Sequence, residues 1–171
     1  CALPISVQAA YGAAQDNPPE APEAQAARAA AVSAPAEVAL RGGILRVEVG
    51  LRHVTGPVFF SFAGPDHLEW DERMELARAW PETLASLGGP YVPAAFMPHA
   101  AFTVGLEHLA EIADLAREQG ALVHTHASEN DRENDDTVKA TGLRPVPALD
   151  ASGVLELAPV LGHGVRLDDH D

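Results

Sequence analysis

Apolar and polar positions change period several times along the chain, and each change marks a new element. "ILRVEVGL" (44–51) alternates apolar and polar as a half-buried strand does, and "GPVFFSF" from Gly56 is a compact β-branched and aromatic run. In "WDERMELARAW", Met74, Ala77 and Trp80 recur at helical spacing up to Pro81, which is expected to break or kink the helix. "YVPAAFM" reads as the next strand. "GLEHLAEIADLAREQG" carries an apolar stripe of Leu106, Leu109, Ile112, Ala113 and Ala116, with Glu107 and Glu111 early, Arg117 late and Gly120 as a left-handed stop. "ALVHTH" follows as a strand and "DRENDDTVKATG" as a polar helix ending at Gly142. "PVPALDASGVL" is then a short helix and turn, and "APVLGHGV" the last strand.

Strands alternating with helices at this spacing are the pattern of parallel βα units, about four of them. A closed barrel of eight such units takes about 250 residues, so a chain of 171 can hold only part of one. An open doubly wound sheet is the alternative, although no Gly-rich phosphate loop supports it. Ahead of these units, residues 9–36 are dominated by Ala, Pro, Glu and Gln and offer little to pack. Residues 1–42 are therefore expected to be a disordered lead-in, with a short helix at "AQAARAAAV" and a non-native start at "CALPIS". Residues 43–171 then form the α/β part. The Cys1 start and the "LDDHD" finish lead to the expectation of a piece of a longer protein.

Charge narrows the partners. Eleven basic against 25 acidic residues leave a formal net charge of −14, which repels nucleic acid and anionic membrane surfaces and favours a small-molecule partner. The single cysteine, Cys1, provides no internal disulfide and suits a cytoplasmic location. No uninterrupted apolar run reaches the roughly 18 residues of a membrane-spanning helix.

The candidate chemistry lies in "VHTHASEND". Alternation along the strand puts Leu122, His124 and His126 on one face, with His126 at the C-terminal end, where parallel α/β folds gather their active sites. Glu129 follows in the loop. A metal that lowers the pKa of bound water needs a carboxylate nearby to carry the proton, and His126 with Glu129 fits that division of labour. Taken alone, the run reads equally well as a buried His124 and an exposed Glu129. Two further histidines tip the balance. His99 in "AAFMPHAAFT" and His163 in "APVLGHGV" also follow apolar strands, so three consecutive strands each deliver a histidine to one rim.

"MPHAAFTVGLEHLAEIADLAREQGALVHTHASEN" followed by "TGLRPVPALDASGVLELAPVLGHGVRLDD" resembles the middle of the amidohydrolase superfamily. The branch is that of cytosine, guanine and adenosine-derivative deaminases and chlorohydrolases, and the resemblance runs from about Phe96 to Asp169. It implies a central fragment, about strands three to six, of a (β/α)8 TIM-type barrel. It also implies one divalent metal, Zn2+ or Fe2+, with His126 as a metal ligand. Glu129 would be the proton shuttle and a substrate contact, His163 the residue that orients the attacking water or substrate, and His99 a contact to the substrate ring. His124, one layer deeper, is read as structural, and His53, His67, His108 and His170 as solvated. The family's first-strand His-x-His pair and last-strand Asp are absent from these 171 residues.

The implied reaction is hydrolytic deamination of an amino-substituted heterocycle or amidine by metal-bound hydroxide, in a cytoplasmic parent enzyme for which a homo-oligomer is one option, with the isolated fragment inactive. Ring-opening amide hydrolysis of the imidazolone type and dechlorination use the same parts. A small α/β binding domain with incidental histidines is the non-enzymatic alternative, and it has no reason to collect His99, His126, Glu129 and His163 at one rim.

Overall fold

The computed structural model describes residues 52–88, 91–169 and 171. The expected lead-in, its Ala-rich helix, the 44–51 strand and His170 lie outside the described residues. The elements are β1 (Val58–Phe59), α1 (Trp70–Leu87), β2 (Ala95–Pro98), α2 (Ala101–Val104), α3 (Leu106–Gln119), β3 (Leu122–Ala127), α4 (Asp131–Thr141), α5 (Pro145–Ala151), a 3-10 turn (Leu155–Leu157) and β4 (Val160–His163).

Among the described residues, all three strand pairings are parallel and the sheet order is β1-β2-β3-β4. A doubly wound sheet reverses its order at a switch point and carries helices on both faces. Among the described residues the order does not reverse. Phe59, Phe96, Val123 and Ala127 share one core with Met74, Ala77 and Trp80 of α1, Leu109, Ile112 and Ala116 of α3, and Leu149 of α5. The opposite face carries a separate small cluster, Val58, Phe60, Ala95 and Met97. One helical layer over consecutively ordered parallel strands is an arc of a (β/α)8 barrel, with His124 and His126 on the face away from the helices.

The long helices form largely as their patterns require. In α3, Leu109, Ile112, Ala113, Leu115 and Ala116 are buried, and Gly120 caps the end at φ 62°. Asn130 caps α4 by accepting from Glu133 N–H at 2.9 Å, and Gly142 ends it at φ 77°. Pro145 occupies the first turn of α5, where its missing N–H costs nothing.

Two expectations are met only in part. Pro81 does not end its helix: α1 continues to Leu87. A proline in a helix interior costs about 3 kcal/mol or more, and burial on both sides of it outweighs that. Met74 and Ala77 before it and Leu84 after it are buried, and Trp80 is fully enclosed, its indole N–H donating to Thr55 O at 2.9 Å. The "GPVFFSF" strand is also shorter than its composition suggests, pairing only at Val58 and Phe59. Beyond them the chain leaves the ladder, because Ser61 N–H donates to Thr103 O at 2.9 Å.

Candidate active site

β2, β3 and β4 each end at the same rim. His99 follows β2 and donates its backbone N–H to Phe59 O at 3.1 Å, while His126 N–H donates to His99 O at 3.1 Å. The sheet thereby sets the two histidines side by side, ring centroids 5.1 Å apart. His126 and His163 come within 4.9 Å, and His163 Nε2 lies 3.7 Å from Glu129 Oε2. One donor atom from each of His126, Glu129 and His163 lies within 4.8 Å of the others.

His163 reaches this cluster by an unusual route. It is in register with Ala127, which is buried against the helical layer, so a regular strand would turn its side chain that way. Instead its backbone adopts φ 74°, a left-handed conformation that costs a non-glycine residue about 1–2 kcal/mol. Ser128, just after β3, does the same at φ 53°. Beside them, Gly162 is opposite His126, and a Cβ there would stand 3.2 Å from His126 Cδ2. Glycine gives the imidazole room.

Burial, together with the neighbouring His126, lowers the His99 pKa to about 4. His126 is also held to about 4, by burial first and then by His163 and His124, against the opposing pull of Glu129. Both imidazoles are therefore neutral at pH 7 and keep a nitrogen lone pair. For His99 the tautomer follows from its partner. Thr103 Oγ1 spends its proton on Ala100 O at 3.0 Å, so at 2.9 Å it accepts from His99 Nδ1–H, which leaves Nε2 as the acceptor nitrogen. Phe60 packs against the same ring at 5.1 Å, and Phe102 meets it edge-on at 6.2 Å. His124 sits deeper on the His126 face, its pKa lowered by burial. His67 is exposed as expected. His108 is not fully solvated: it is partly buried, with its ring stacked on Trp70 at 3.7 Å.

The chain matches the Amidohydrolase family over residues 23–171. It belongs to that family. It is 30% identical over 124 residues to a 5'-deoxyadenosine deaminase of Methanospirillum hungatei, an alignment covering 72% of this chain and 27% of that protein. A 5-methylthioadenosine/S-adenosylhomocysteine deaminase of Pelotomaculum thermopropionicum is 37% identical over 103 residues, 59% of this chain and 22% of its own length. Among solved structures, an adenosine deaminase from Xanthomonas campestris with bound zinc superposes with a TM-score of 0.62 at 28% identity, over 71% of this chain and 27% of that one. The chain thus spans about a quarter of the length of these amidohydrolase relatives. The family match and the barrel neighbour agree with the parallel arc described above.

Sequence reasoning missed the residues that surround the histidines. Thr103 stands four positions after His99, in the short helix α2. Phe60 comes from a different βα unit, so no local pattern announces it. Glu133 was readable only as a helix-capping residue, through its spacing from Asn130. Its carboxylate accepts the backbone N–H of Glu129, and its pKa is raised by burial although that bond opposes the rise.

Proposed function

We propose that the protein is a metal-dependent hydrolase of C–N bonds other than peptide bonds, which removes ammonia from an amino-substituted heterocycle, most closely an adenine nucleoside. The convergence of His99, His126, Glu129 and His163 on one rim carries this reading. It is supported by the amidohydrolase match and by relatives named as deaminases of 5'-deoxyadenosine and 5-methylthioadenosine. The acidic net charge fits a small-molecule partner rather than nucleic acid, and no helix among the described residues is long and apolar enough to cross a membrane.

A divalent metal, with zinc as our choice, fits the donors present. His126 is neutral, and nitrogen and carboxylate donors lie close enough to share one ion. When bound through His126, with further ligands from outside these residues, the metal supplies a water of lowered pKa. Glu129, half-exposed at the rim, takes the proton from the nucleophile and returns it to the departing amino nitrogen. His163 hydrogen-bonds the nucleophile and holds it in line. His99 accepts a hydrogen bond from the substrate through Nε2.

The test is ammonia release by the full-length protein from a panel of adenine nucleosides and amino-pyrimidines, before and after chelation. Release that stops on chelation and returns with Zn2+ is expected. Ring opening or chloride release from the matching substrates would replace deamination with one of the alternative hydrolyses. A metal-replete protein with no hydrolytic activity would overturn the reading.

A further inference from the structure

The first turn of α4 touches both halves of the candidate site. In an ordinary capping box, Glu133 at the third helical position would turn back onto the N–H of the cap residue, Asn130. Asn130 does its part, accepting from Glu133 N–H at 2.9 Å. Glu133 reaches one residue further and binds the backbone N–H of Glu129 instead. Its neighbour Asn134 reaches the other way, donating Nδ2–H to Arg166 O at 3.1 Å, in the loop that follows His163. Both side chains belong to buried residues, each 6% exposed.

That second loop is tied to the first along its backbone as well. Gly164 N–H donates to Ala127 O at 2.9 Å and Arg166 N–H to Ser128 O at 2.8 Å. Arg144, from the "GLRP" segment, donates to the same Arg166 O at 3.1 Å. The segments bearing Glu129 and His163 both pass through left-handed residues, Ser128 and His163 itself. Strained backbone of this kind persists only where its surroundings hold it.

We propose that Glu133 and Asn134 are positioning residues for the reaction, together forming a two-pronged clamp that fixes Glu129 and His163 in mutual register. Glu133 sets the acid–base loop from below, and Asn134 sets the loop that carries the residue aligning the nucleophile. Neither touches substrate. The assignment rests on the hydrolase reading for its kinetic consequence, but the clamp itself can be observed without turnover.

The experiment compares Glu133→Ala, Glu133→Gln and Asn134→Ala in the full-length protein, measuring kcat, KM, melting temperature and amide hydrogen exchange. Misplacement of a reacting group by about 1 Å costs on the order of 10²-fold in rate. Glu133→Ala and Asn134→Ala are therefore expected to lower kcat about 10²-fold with KM little changed. Exchange should accelerate at the Glu129 amide in the first variant and at the Arg166 amide in the second. Glu133→Gln keeps an acceptor oxygen and is expected to restore both exchange and rate. Added to Glu129→Gln, Glu133→Ala should cost nothing further, because it acts through Glu129. Activity that falls only in proportion to the folded fraction would overturn the proposal, as would a Gln variant as impaired as the Ala variant. If the wild type turns over nothing, the hydrolase reading fails, and unchanged exchange in the variants would separately refute the clamp.

Discussion

Glu129→Gln is expected to lower kcat by about three orders of magnitude, within the range that a positioned acid–base group contributes, while the protein keeps its metal. The substitution preserves the shape of a half-exposed side chain, so folding should be unaffected. What it removes is a carboxylate 3.7 Å from His163 Nε2, at a rim where the neighbouring His99 and His126 are held neutral. The nearest other carboxylate the site offers, Glu133, is buried and already spent on the Glu129 backbone N–H, so it is not expected to replace Glu129 as proton carrier. Activity and metal content measured on the same preparation separate the two roles open to Glu129. Loss of both would make it a ligand, and loss of neither would end its assignment as proton carrier.

Asp66→Ala is expected to destabilise the fold by about 3–5 kcal/mol, the cost of leaving one partner of a buried ion pair uncompensated. Arg73 is 1% exposed and meets Asp66 with both terminal nitrogens, Nη1 donating to Oδ2 at 2.6 Å and Nη2 to Oδ1. The same Nη1 donates to Val58 O at 3.0 Å, so the pair also ties α1 to β1, a strand of two residues. Above the guanidinium lies Phe60, 5.4 Å from Arg73 Cζ to the ring centroid, and Phe60 in turn packs on His99. The damage should therefore reach the rim as well as the core. Against a typical total stability of about 5–15 kcal/mol, such a loss is large enough to see as a shifted denaturation midpoint. Replacing Arg73 by Met in the same chain should recover much of it, since the stranded charge is then gone. An unchanged midpoint in the single variant would show that the pair contributes nothing.

What the sequence revealed follows from the range of the forces involved. The helix from Leu106 to Gln119, its glycine stop and the strand ending at His126 are set by local periodicity and were readable. So was the delivery of His99, His126 and His163 to one rim, because parallel strands point their C-terminal ends the same way. At Pro81 the helix does not break, since the local penalty is offset by the burial of Trp80 and Leu84 against residues distant in sequence. The short β1 was hidden for the same reason: Ser61 is drawn away by Thr103, 42 positions later. His163 was placed at the correct strand end, but its register with Ala127 and its φ of 74° have no signature in "LGHG". Nor did spacing show that Glu133 passes its own cap to hold Glu129.

The central claim is that this rim holds the catalytic metal of an amidohydrolase. Anomalous diffraction at the zinc edge, from crystals of the full-length protein grown with Zn2+, tests it most directly. A single strong peak at about 2.0–2.1 Å from a His126 ring nitrogen is the predicted result. A peak bound elsewhere, with His126 unligated in an active enzyme, would contradict it.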